Sequence, residues 1–212
     1  IYLIKGRRRR KPLVLFVRDK AELKRYVNKL PKTTDGLFDF FVPGPLTLLL
    51  KASSRAPKEL VRKGTIGVRI PNYPLVLNLL ERYGGPLATT SANPTEMAPA
   101  LSADEVASSL GGKLDLILDG GRPGSAIPST VLDVSSYPPR LLRKGEIPML
   151  SIEKRMGRKI KLGIGLSLNL LFVCTGNLCR SPLAKGILET LLPKTLSRRV
   201  RIESAGTAAL DG

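Results

Sequence analysis

One short stretch near the end of the chain constrains its fold more than any other. Residues 168–182 read Leu-Asn-Leu-Leu-Phe-Val-Cys-Thr-Gly-Asn-Leu-Cys-Arg-Ser-Pro. The apolar run from Leu170 to Val173 is typical of a buried central strand. Ser181 is a favourable N-cap, and Pro182 suits the first position of a helix. The pattern therefore predicts a strand, a tight loop and a helix in immediate succession.

The helix that follows this loop is predicted to bury one face. Leu183, Ile187 and Leu191 recur at four-residue spacing, and this spacing places the three side chains on one side of a helix. We therefore expect that side to be covered in the folded protein.

The loop between Cys174 and Arg180 is suited to hold an anion. Its amides can point inward at the helix N-terminus, where the helix dipole favours negative charge. The same field should stabilise Cys174 as a thiolate, and Arg180 offers a planar fork that matches phosphate oxygens. A structural cysteine in an ordinary turn is the weaker interpretation, because strand, glycine, N-cap and proline occur together in register. The amides belong to Thr175, Gly176, Asn177, Leu178 and Cys179.

These residues resemble a known family. Residues 174–182 resemble the active-site loop of low-molecular-weight protein tyrosine phosphatases, and Glu-Ser-Ala-Gly-Thr at 203–207 resembles the second strand and turn of that family. The resemblance implies that Cys174 is the nucleophile, that Arg180 binds phosphate and that Ser181 supports the thiolate. It also implies a phosphorylated substrate. Arsenate reductases share the cysteine loop and remain an alternative.

Composition excludes several other kinds of chemistry. The 212 residues contain no histidine, which excludes Ser-His-Asp, Cys-His and His-ligated zinc mechanisms within them; we predict no metal site. Both cysteines lie in the loop just described, so a disulfide framework is not indicated and we expect a reducing, cytoplasmic location. The weakly polar run 162–174 is shorter than the ~20 residues of a membrane helix, so we expect no membrane association.

The formal charge of +18 is unevenly distributed. Residues 168–212 carry +3 and residues 149–167 carry +4, which leaves +11 on residues 1–148. The first 20 residues alone carry +7. This asymmetry indicates attraction to a polyanion such as a nucleotide or RNA, although the run Arg7 to Lys11 could equally be a solvated surface.

Strand-like and helix-like patterns alternate along residues 1–148, and this alternation predicts an open α/β sheet. We predict strands at Ile1–Ile4, Leu13–Val17, Leu46–Leu50, Ile66–Ile70, Leu114–Leu118 and Thr130–Val134, and helices after Asp19, at Leu75–Leu80 and after the capping box Ser102–Glu105. Residues 149–167 mix Lys and Arg with Gly and show no clear apolar period, so we interpret them as a linker.

Polar clusters stand at the predicted strand ends of this half. Each alone could be a turn, but together they resemble the YrdC-like family, whose members are threonylcarbamoyl-AMP synthases. The matching segments occur in family order: Lys5-Gly6-Arg7, Pro43-Gly44-Pro45-Leu46-Thr47, Gly67-Val68-Arg69-Ile70-Pro71, Ser91-Ala92-Asn93, Pro128-Ser129-Thr130-Val131 and Leu142-Arg143-Lys144-Gly145.

This second resemblance implies synthesis of L-threonylcarbamoyl-AMP from L-threonine, bicarbonate and ATP, for modification of tRNA, with tRNA or tRNA-modification proteins as partners. Magnesium would arrive on the ATP phosphates. The implied nucleotide-binding residues are Lys5, Arg7, Thr65, Ser91, Asn93 and Arg143, and the implied threonine-binding residues are Arg69 and Ser129. An RNA-binding module without synthesis remains an alternative for this half.

Two departures from the resembled families stand out. The Ser-Gly that usually follows the Ser-x-Asn motif is replaced by Thr95-Glu96. The threonine-recognition segment would precede Ile1 and the general acid of the phosphatase would follow Gly212, so we expect the chain to be a fragment at both ends. Without that acid, the phosphatase part should bind phosphate better than it catalyses turnover. The sequence thus predicts a YrdC-like twisted open α/β sheet domain at 1–148, a linker at 149–167, and at 168–212 the N-terminal part of a phosphatase domain with a parallel sheet and a phosphate loop.

Overall fold

The computed structural model describes residues 1–9, 11–125, 127–193, 197 and 199–208. The chain divides into two compact units, Ile1–Lys161 and Leu162–Gly212, and each is described by itself. Arg10, which belongs to the predicted basic run, lies outside the described residues. None of the helices in the described part is long and apolar enough to cross a membrane.

The first unit is built on a mixed seven-stranded sheet in the order β4-β1-β3-β2-β5-β6-β7. Pairs β1–β3 and β2–β5 are parallel, whereas β1–β4, β2–β3 and β5–β6 are antiparallel. The predicted α/β class is therefore confirmed. The strands are β1 (Val14–Phe16), β2 (Leu46–Lys51), β3 (Thr65–Arg69), β4 (Leu87–Thr89), β5 (Thr130–Asp133), β6 (Arg140–Arg143) and β7 (Lys161–Leu162), and the helices are α1 (Lys20–Tyr26), α2 (Asp35–Phe41), α3 (Pro74–Tyr83), α4 (Ala103–Leu110) and α5 (Met149–Met156).

Alternating leucines on β2 mark the core of the sheet. Leu46, Leu48 and Leu50 are all buried, as expected when every second side chain of a strand points to one covered face. Leu132 on β5 is buried at the same level because it pairs with Leu48. The helix starts follow the predicted capping. Asp19 accepts a hydrogen bond from the Glu22 amide at 2.7 Å, and Ser102 accepts one from the Glu105 amide at 3.2 Å.

Three predictions for this unit differ from the structure. Residues 1–4 form turns rather than a strand, closed by a hydrogen bond from the Lys5 amide to the Ile1 carbonyl. Residues 114–118 are not part of a strand, and Leu116 and Leu118 are exposed. An apolar run forms a strand only where a neighbouring strand pairs with it, and that partner cannot be identified from the run itself.

The predicted linker is the third difference. Residues 149–156 form α5, which buries Ile152 and Met156 and packs against α2. Ile152 and Met156 are four residues apart and so share one helix face. The backbone then returns to the sheet as β7, where the Lys161 amide donates to the Pro139 carbonyl at 2.8 Å. Residues 149–162 thus form ordered secondary structure where a linker was predicted.

The second unit contains β8 (Leu168–Cys174), α6 (Arg180–Leu191) and β9 (Val200–Gly206). Strands β8 and β9 are parallel and pair along their full lengths, from Leu168 opposite Val200 to Cys174 opposite Gly206. The predicted succession of strand, loop and helix is confirmed, and the predicted parallel pairing is present.

Burial and capping in this unit differ from the predictions. Leu170, Leu171 and Val173 are exposed, and the helix side chains Leu183, Ile187 and Leu191 are 65%, 50% and 72% exposed. Two strands and one helix can cover only one face of each element, so an apolar pattern alone does not bury a residue. The N-cap of α6 is Cys179 rather than Ser181, which lies within the first turn.

Candidate active sites

A cavity of about 1040 Å³ opens in the first unit beside the start of β2 and the end of β3. Its polar lining includes Arg69, Asn72, Ser129 and Glu146. Its apolar lining comes from α3, α4 and the segment before β5, and includes Val76, Leu79, Leu101, Val106, Leu116 and Ile127. A large concave site with a few convergent polar groups beside apolar side chains is the usual form of a small-molecule site.

Ser129 is the centre of the polar side of this cavity. The Arg143 guanidinium donates from Nη2 to Ser129 Oγ at 2.8 Å and from Nε to the Ser129 carbonyl at 2.9 Å. The Thr47 hydroxyl lies 3.0 Å from Ser129 Oγ within hydrogen-bond distance. A Cβ on Gly145 would collide with backbone atoms of Ser129 and its neighbours, so only glycine permits this close approach. The arrangement fixes Arg143 and Ser129 as one rigid pair.

Arg69 lines the cavity with a second guanidinium near that of Arg143. Its Nε donates to the Gly44 carbonyl at 2.8 Å, and its guanidinium lies 5.5 Å from the centre of the Phe16 ring. Burial lowers the pKa of Arg69, the nearby Arg143 charge lowers it further, and Glu146 opposes both effects. Burial also lowers the pKa of Arg143. Arginine nevertheless stays charged at neutral pH, so two partly desolvated cations stand beside the cavity and are suited to bind an anion.

Lys5 organises a second polar cluster. Its buried ammonium donates to the Ser91 carbonyl, to Ser91 Oγ at 3.3 Å and to Asn93 Oδ1 at 3.2 Å. Burial lowers the pKa of Lys5, and so does the charge of Arg7. Ala92, between the two acceptor residues, lines the cavity. The structure therefore brings Lys5, Ser91 and Asn93 together next to the cavity.

The Thr95-Glu96 replacement lies in the same loop. The Thr95 amide donates to the Lys5 carbonyl at 3.1 Å, while Thr95 Oγ1 is buried without a hydrogen-bond partner among the described residues. Glu96 has a φ of +74°, a left-handed conformation that glycine adopts at little cost. The backbone at Glu96 is thus in the conformation suited to the glycine that it replaces in the resembled family.

Two predicted nucleotide residues make other contacts. Thr65 begins β3, whereas Arg69 ends it, and the Thr65 hydroxyl donates to the Arg62 carbonyl at 2.8 Å. The Arg7 guanidinium donates to the Pro12 carbonyl at 2.8 Å. Sequence reasoning missed Glu146, which lines the cavity. Its position directly after the Arg143-Lys144-Gly145 segment was the available signal.

The second unit contains a compact thiol site. Cys174 Sγ lies 3.0 Å from Ser181 Oγ and accepts a hydrogen bond from the Asn177 amide at 3.2 Å. Ser181 is buried, and Asn177 Oδ1 lies 2.7 Å from its hydroxyl as an alternative acceptor for the single hydroxyl proton. Its position inside the first helical turn places the hydroxyl toward the sulfur rather than toward the helix end. The structure thus brings Cys174, Asn177 and Ser181 together.

These contacts favour the thiolate form of Cys174. Hydrogen bonds from the Ser181 side chain and amide, from the Asn177 amide, and the charge of Arg180 lower the pKa of Cys174 to about 7 against the opposing effect of burial. A thiolate is the nucleophilic form of cysteine. A larger fraction of Cys174 is therefore ionised at neutral pH than of an ordinary cysteine.

The loop around this thiol is tightly curved. Asn177 has a φ of +51°, and a Cβ on Gly206 would lie 3.0 Å from the Thr175 carbonyl oxygen and the Gly176 carbonyl carbon. The Thr207 amide donates to the Cys174 carbonyl at 3.0 Å, which fixes the loop to the end of β9. Thr175, Leu178, Cys179 and Arg180 are exposed around its opening.

Comparison with known proteins places the first unit in a family. The Sua5/YciO/YrdC family model, described as telomere recombination, matches residues 1–145. The chain belongs to the Sua5/YciO/YrdC family. A second family model, described as low molecular weight phosphotyrosine protein phosphatase, matches residues 169–212. The two matches together agree with a fusion of the two kinds of domain.

Curated members of the Sua5/YciO/YrdC family similar to this chain are named threonylcarbamoyl-AMP synthase. The protein of Pyrococcus abyssi is 35% identical over 158 residues, which are 74% of this chain and 46% of the relative. The protein of Bacillus subtilis is 36% identical over 169 residues, which are 79% of this chain and 49% of the relative. The chain thus spans about half the length of these two relatives.

Solved structures of the family have the same fold. The H234A/Y235A variant of P. abyssi Sua5 superposes with a TM-score of 0.74 at 30% identity, covering 92% of this chain and 61% of that structure. Escherichia coli YciO gives a TM-score of 0.64 at 28% identity, covering 72% of this chain and 74% of that structure. P. abyssi Sua5 complexed with L-threonine also gives 0.74, at 23% identity, over 96% of this chain and 77% of that structure.

Proposed function

We propose that the first unit forms L-threonylcarbamoyl-AMP from L-threonine, bicarbonate and ATP. The observation that carries this proposal is a pair of guanidiniums at one cavity: Arg69 lines the cavity, and Arg143 is hydrogen-bonded to the lining residue Ser129. The names of the curated relatives support the same activity. The product is an activated group for the modification of tRNA, which is consistent with a cytoplasmic location.

The reaction requires charge stabilisation more than a strong base. Threonine and bicarbonate form a carbamate with loss of water, and a carbamate oxygen then attacks the α-phosphorus of ATP. The bond to the β-phosphate oxygen breaks, and pyrophosphate leaves with its electron pair. Negative charge accumulates on phosphate oxygens, so fixed cations beside the cavity lower the barrier. ATP would carry Mg²⁺ with it as part of the substrate.

The cavity offers a place for each reactant. Arg143 and the Lys5, Ser91 and Asn93 cluster supply cationic and polar groups for the nucleotide, and the apolar wall can cover its base. Arg69 and Ser129 can bind the threonine carboxylate and hydroxyl through charge-assisted hydrogen bonds.

An assay of pyrophosphate release tests the proposal with the full chain. Release should require ATP, threonine and bicarbonate together. Arg143→Ala removes charge-assisted hydrogen bonds worth roughly 1.5–3 kcal/mol, so ATP should bind about 10–150-fold more weakly in calorimetry. Arg140→Ala removes an exposed arginine from the same strand and should leave binding unchanged. Equal ATP affinity of Arg143→Ala and Arg140→Ala would remove Arg143 from the site.

We propose that the second unit transfers phosphate through Cys174. The sulfur would attack the phosphorus of a phosphate ester, the ester P–O bond would break, and water would then hydrolyse the thiophosphate to release inorganic phosphate. The low pKa of Cys174 and its contacts with Ser181 and Asn177 support this chemistry, and Arg180 can bind the phosphate oxygens.

Protection of Cys174 tests this second activity independently of turnover. Orthovanadate should slow iodoacetamide alkylation of Cys174 in the wild type, and less so in Arg180→Ala. Lys185→Ala, which removes a cation from the same helix, is the matched control. Thiol-dependent turnover of arsenate without hydrolysis of p-nitrophenyl phosphate would instead assign an arsenate reductase.

A further inference from the structure

A basic surface lies at the far end of the sheet from the cavity. It surrounds a depression of about 450 Å³ lined by Asn28, Ala52, Ser53, Ser54, Ala56, Lys58, Val61 and Gly64. Strand β2 runs from Leu46, which pairs with Thr130 next to the cavity residue Ser129, to Lys51 beside this depression. Five residue steps along a strand span about 17 Å. The depression is therefore separate from the site around Ser129.

Three segments distant in sequence meet around the depression. The end of α1 meets the end of β2 through a hydrogen bond from the Asn28 amide to the Lys51 carbonyl at 2.9 Å. The Ser53 hydroxyl donates to the Arg25 carbonyl at 2.7 Å, and the Ala52 amide donates to the Gly64 carbonyl at 2.9 Å. These contacts fix the positions of the charged side chains relative to one another.

Positive charge dominates the residues of these segments, 24–29 and 51–64. They contain eight cations and one carboxylate, that of Glu59, and of the cations all but the half-buried Arg62 are exposed. None of the eight forms an ion pair with another described residue within 4.0 Å. The cations are Lys24, Arg25, Lys29, Lys51, Arg55, Lys58, Arg62 and Lys63.

The basic run at the start of the chain adjoins this surface. Arg62 Nη2 donates to the Arg9 carbonyl at 2.9 Å, so the exposed side chains of Arg8 and Arg9 extend the positive area. This contact gives the run a place in the fold, next to the depression and apart from Arg69.

We propose that this surface binds the phosphate backbone of RNA. Closely placed lysines and arginines, together with hydroxyl, amide and backbone N–H groups, make most contacts to nucleic-acid backbones, and the rim of the depression offers Ser54 and Asn28 among the cations. The surface itself is independent of the proposed synthase. The choice of RNA over DNA rests on that proposed function, because its product serves tRNA.

The surface chemistry disfavours a membrane. A peripheral membrane surface combines basic residues with apolar side chains that enter the lipid. Among the described residues, none of the large exposed apolar side chains lies within 20–30 or 51–64. No long helix offers itself to a DNA major groove here either, since α1 has only seven residues. Short loops that present cations fit recognition of RNA by shape and phosphates.

Fluorescence anisotropy with a labelled RNA hairpin tests the proposal on the full chain. The patch variant is Lys51→Gln, Arg55→Gln and Lys58→Gln together. The matched control is Arg82→Gln, Lys113→Gln and Arg140→Gln, which removes three exposed charges elsewhere in the first unit. The slope of log affinity against log salt should fall by about 2–3 in the patch variant, and affinity near 0.1 M salt should fall at least ~10-fold. The control should change by less than about 2-fold.

Three outcomes would overturn the proposal. Equal losses in the patch and control variants would show that only net charge matters. Equal affinity for a DNA hairpin of the same sequence would remove the commitment to RNA. Binding to phosphatidylcholine–phosphatidylserine vesicles that is lost in the patch variant, with RNA binding intact, would assign a membrane surface. The pyrophosphate-release assay keeps the two proposals apart. Unchanged release in the patch variant would show that its loss of RNA binding is independent of synthesis, whereas failure of the synthase proposal would appear as absence of release in the wild type.

Discussion

The two units differ in how they assemble their chemistry. The second unit holds its thiol, its supporting hydroxyl and its basic residue within eight consecutive residues, Cys174 to Ser181. The first unit gathers Lys5, Arg69, Ser129 and Arg143 from segments spread over more than a hundred residues. A local site depends on the geometry of one loop, whereas a dispersed site depends on the register of an entire sheet.

The two units also differ in how far their apolar side chains are buried. The first unit buries alternating leucines on β2, together with Leu132 on β5 and Leu141 on β6. The second unit exposes most of the apolar side chains of β8 and α6 although its loop is fully formed. The hydrogen bonds of a loop can therefore form where little apolar surface is buried. We expect the two units to differ strongly in free energy of unfolding although both have well-arranged site residues.

Truncation of a core leucine tests this contrast with the largest expected effect. Leu132→Ala should destabilise the first unit by about 2–5 kcal/mol, because the residue is fully buried and a cavity would remain. Leu171→Ala on β8 should change the second unit by no more than about 0.5 kcal/mol, since that side chain is 59% exposed. Native-state hydrogen exchange reports the opening free energy of each unit separately. A loss above ~1 kcal/mol for Leu171→Ala would show that its face is covered in solution.

The same contrast explains which features could be predicted from the sequence. Strand, loop and helix at 168–191 could be predicted, because apolar residues, glycine and proline act within a few positions of one another. The pairing of Cys174 with Ser181 follows from that local geometry. The exposure of Leu183 could not be predicted, since burial depends on what covers the helix rather than on the helix itself.

In the first unit the positions of most strands along the sequence could be predicted, but which strands pair with one another in the sheet could not. The run 114–118 has the apolar composition of a strand, and only sheet pairing decides that it is not one. Residues 149–156 form a helix because α2 offers a surface for Ile152 and Met156. Glu146 follows β6, and its position at the cavity depends on the pairing of β6 with β5, which the sequence does not show.

The protonation of Cys174 offers a sharper test of the local site. With a pKa of about 7, the rate of iodoacetamide alkylation should rise from pH 5 through a midpoint near 7 and then level off. An unstructured cysteine-containing peptide, whose thiol has a pKa of about 8.5, should still show a rising alkylation rate at pH 8. At pH 7 thiolate is roughly 15-fold more abundant in the protein, but the lower basicity costs about 5-fold in nucleophilicity, so the net advantage is about 3-fold. A midpoint at or above 8 would contradict the observed contacts.

Ser181 should make the largest single contribution to this shift in the pKa of Cys174. Its side-chain hydrogen bond is the largest cause of the lowered pKa, so Ser181→Ala should move the alkylation midpoint upward, toward the ~8.5 of an ordinary thiol. Thr190→Ala removes a hydroxyl from the same helix whose contacts are only to helix carbonyls, and it should leave the midpoint in place. Identical midpoints for the two variants would assign the shift to the backbone amides instead.

The smallest effect is expected at Glu96, where the dispersed site depends on one backbone conformation. Its φ of +74° costs a residue with a Cβ about 1 kcal/mol relative to glycine in the folded state. Its ion pair with Lys11 is long, at 3.8 Å, and exposed, so it contributes little. Glu96→Ala removes the ion pair and keeps the strain, whereas Glu96→Gly removes both but gains unfolded-state entropy. Urea unfolding should therefore find Glu96→Gly more stable than Glu96→Ala by about 0.5 kcal/mol; the reverse order would mean that the loop around Asn93 holds Glu96 without strain.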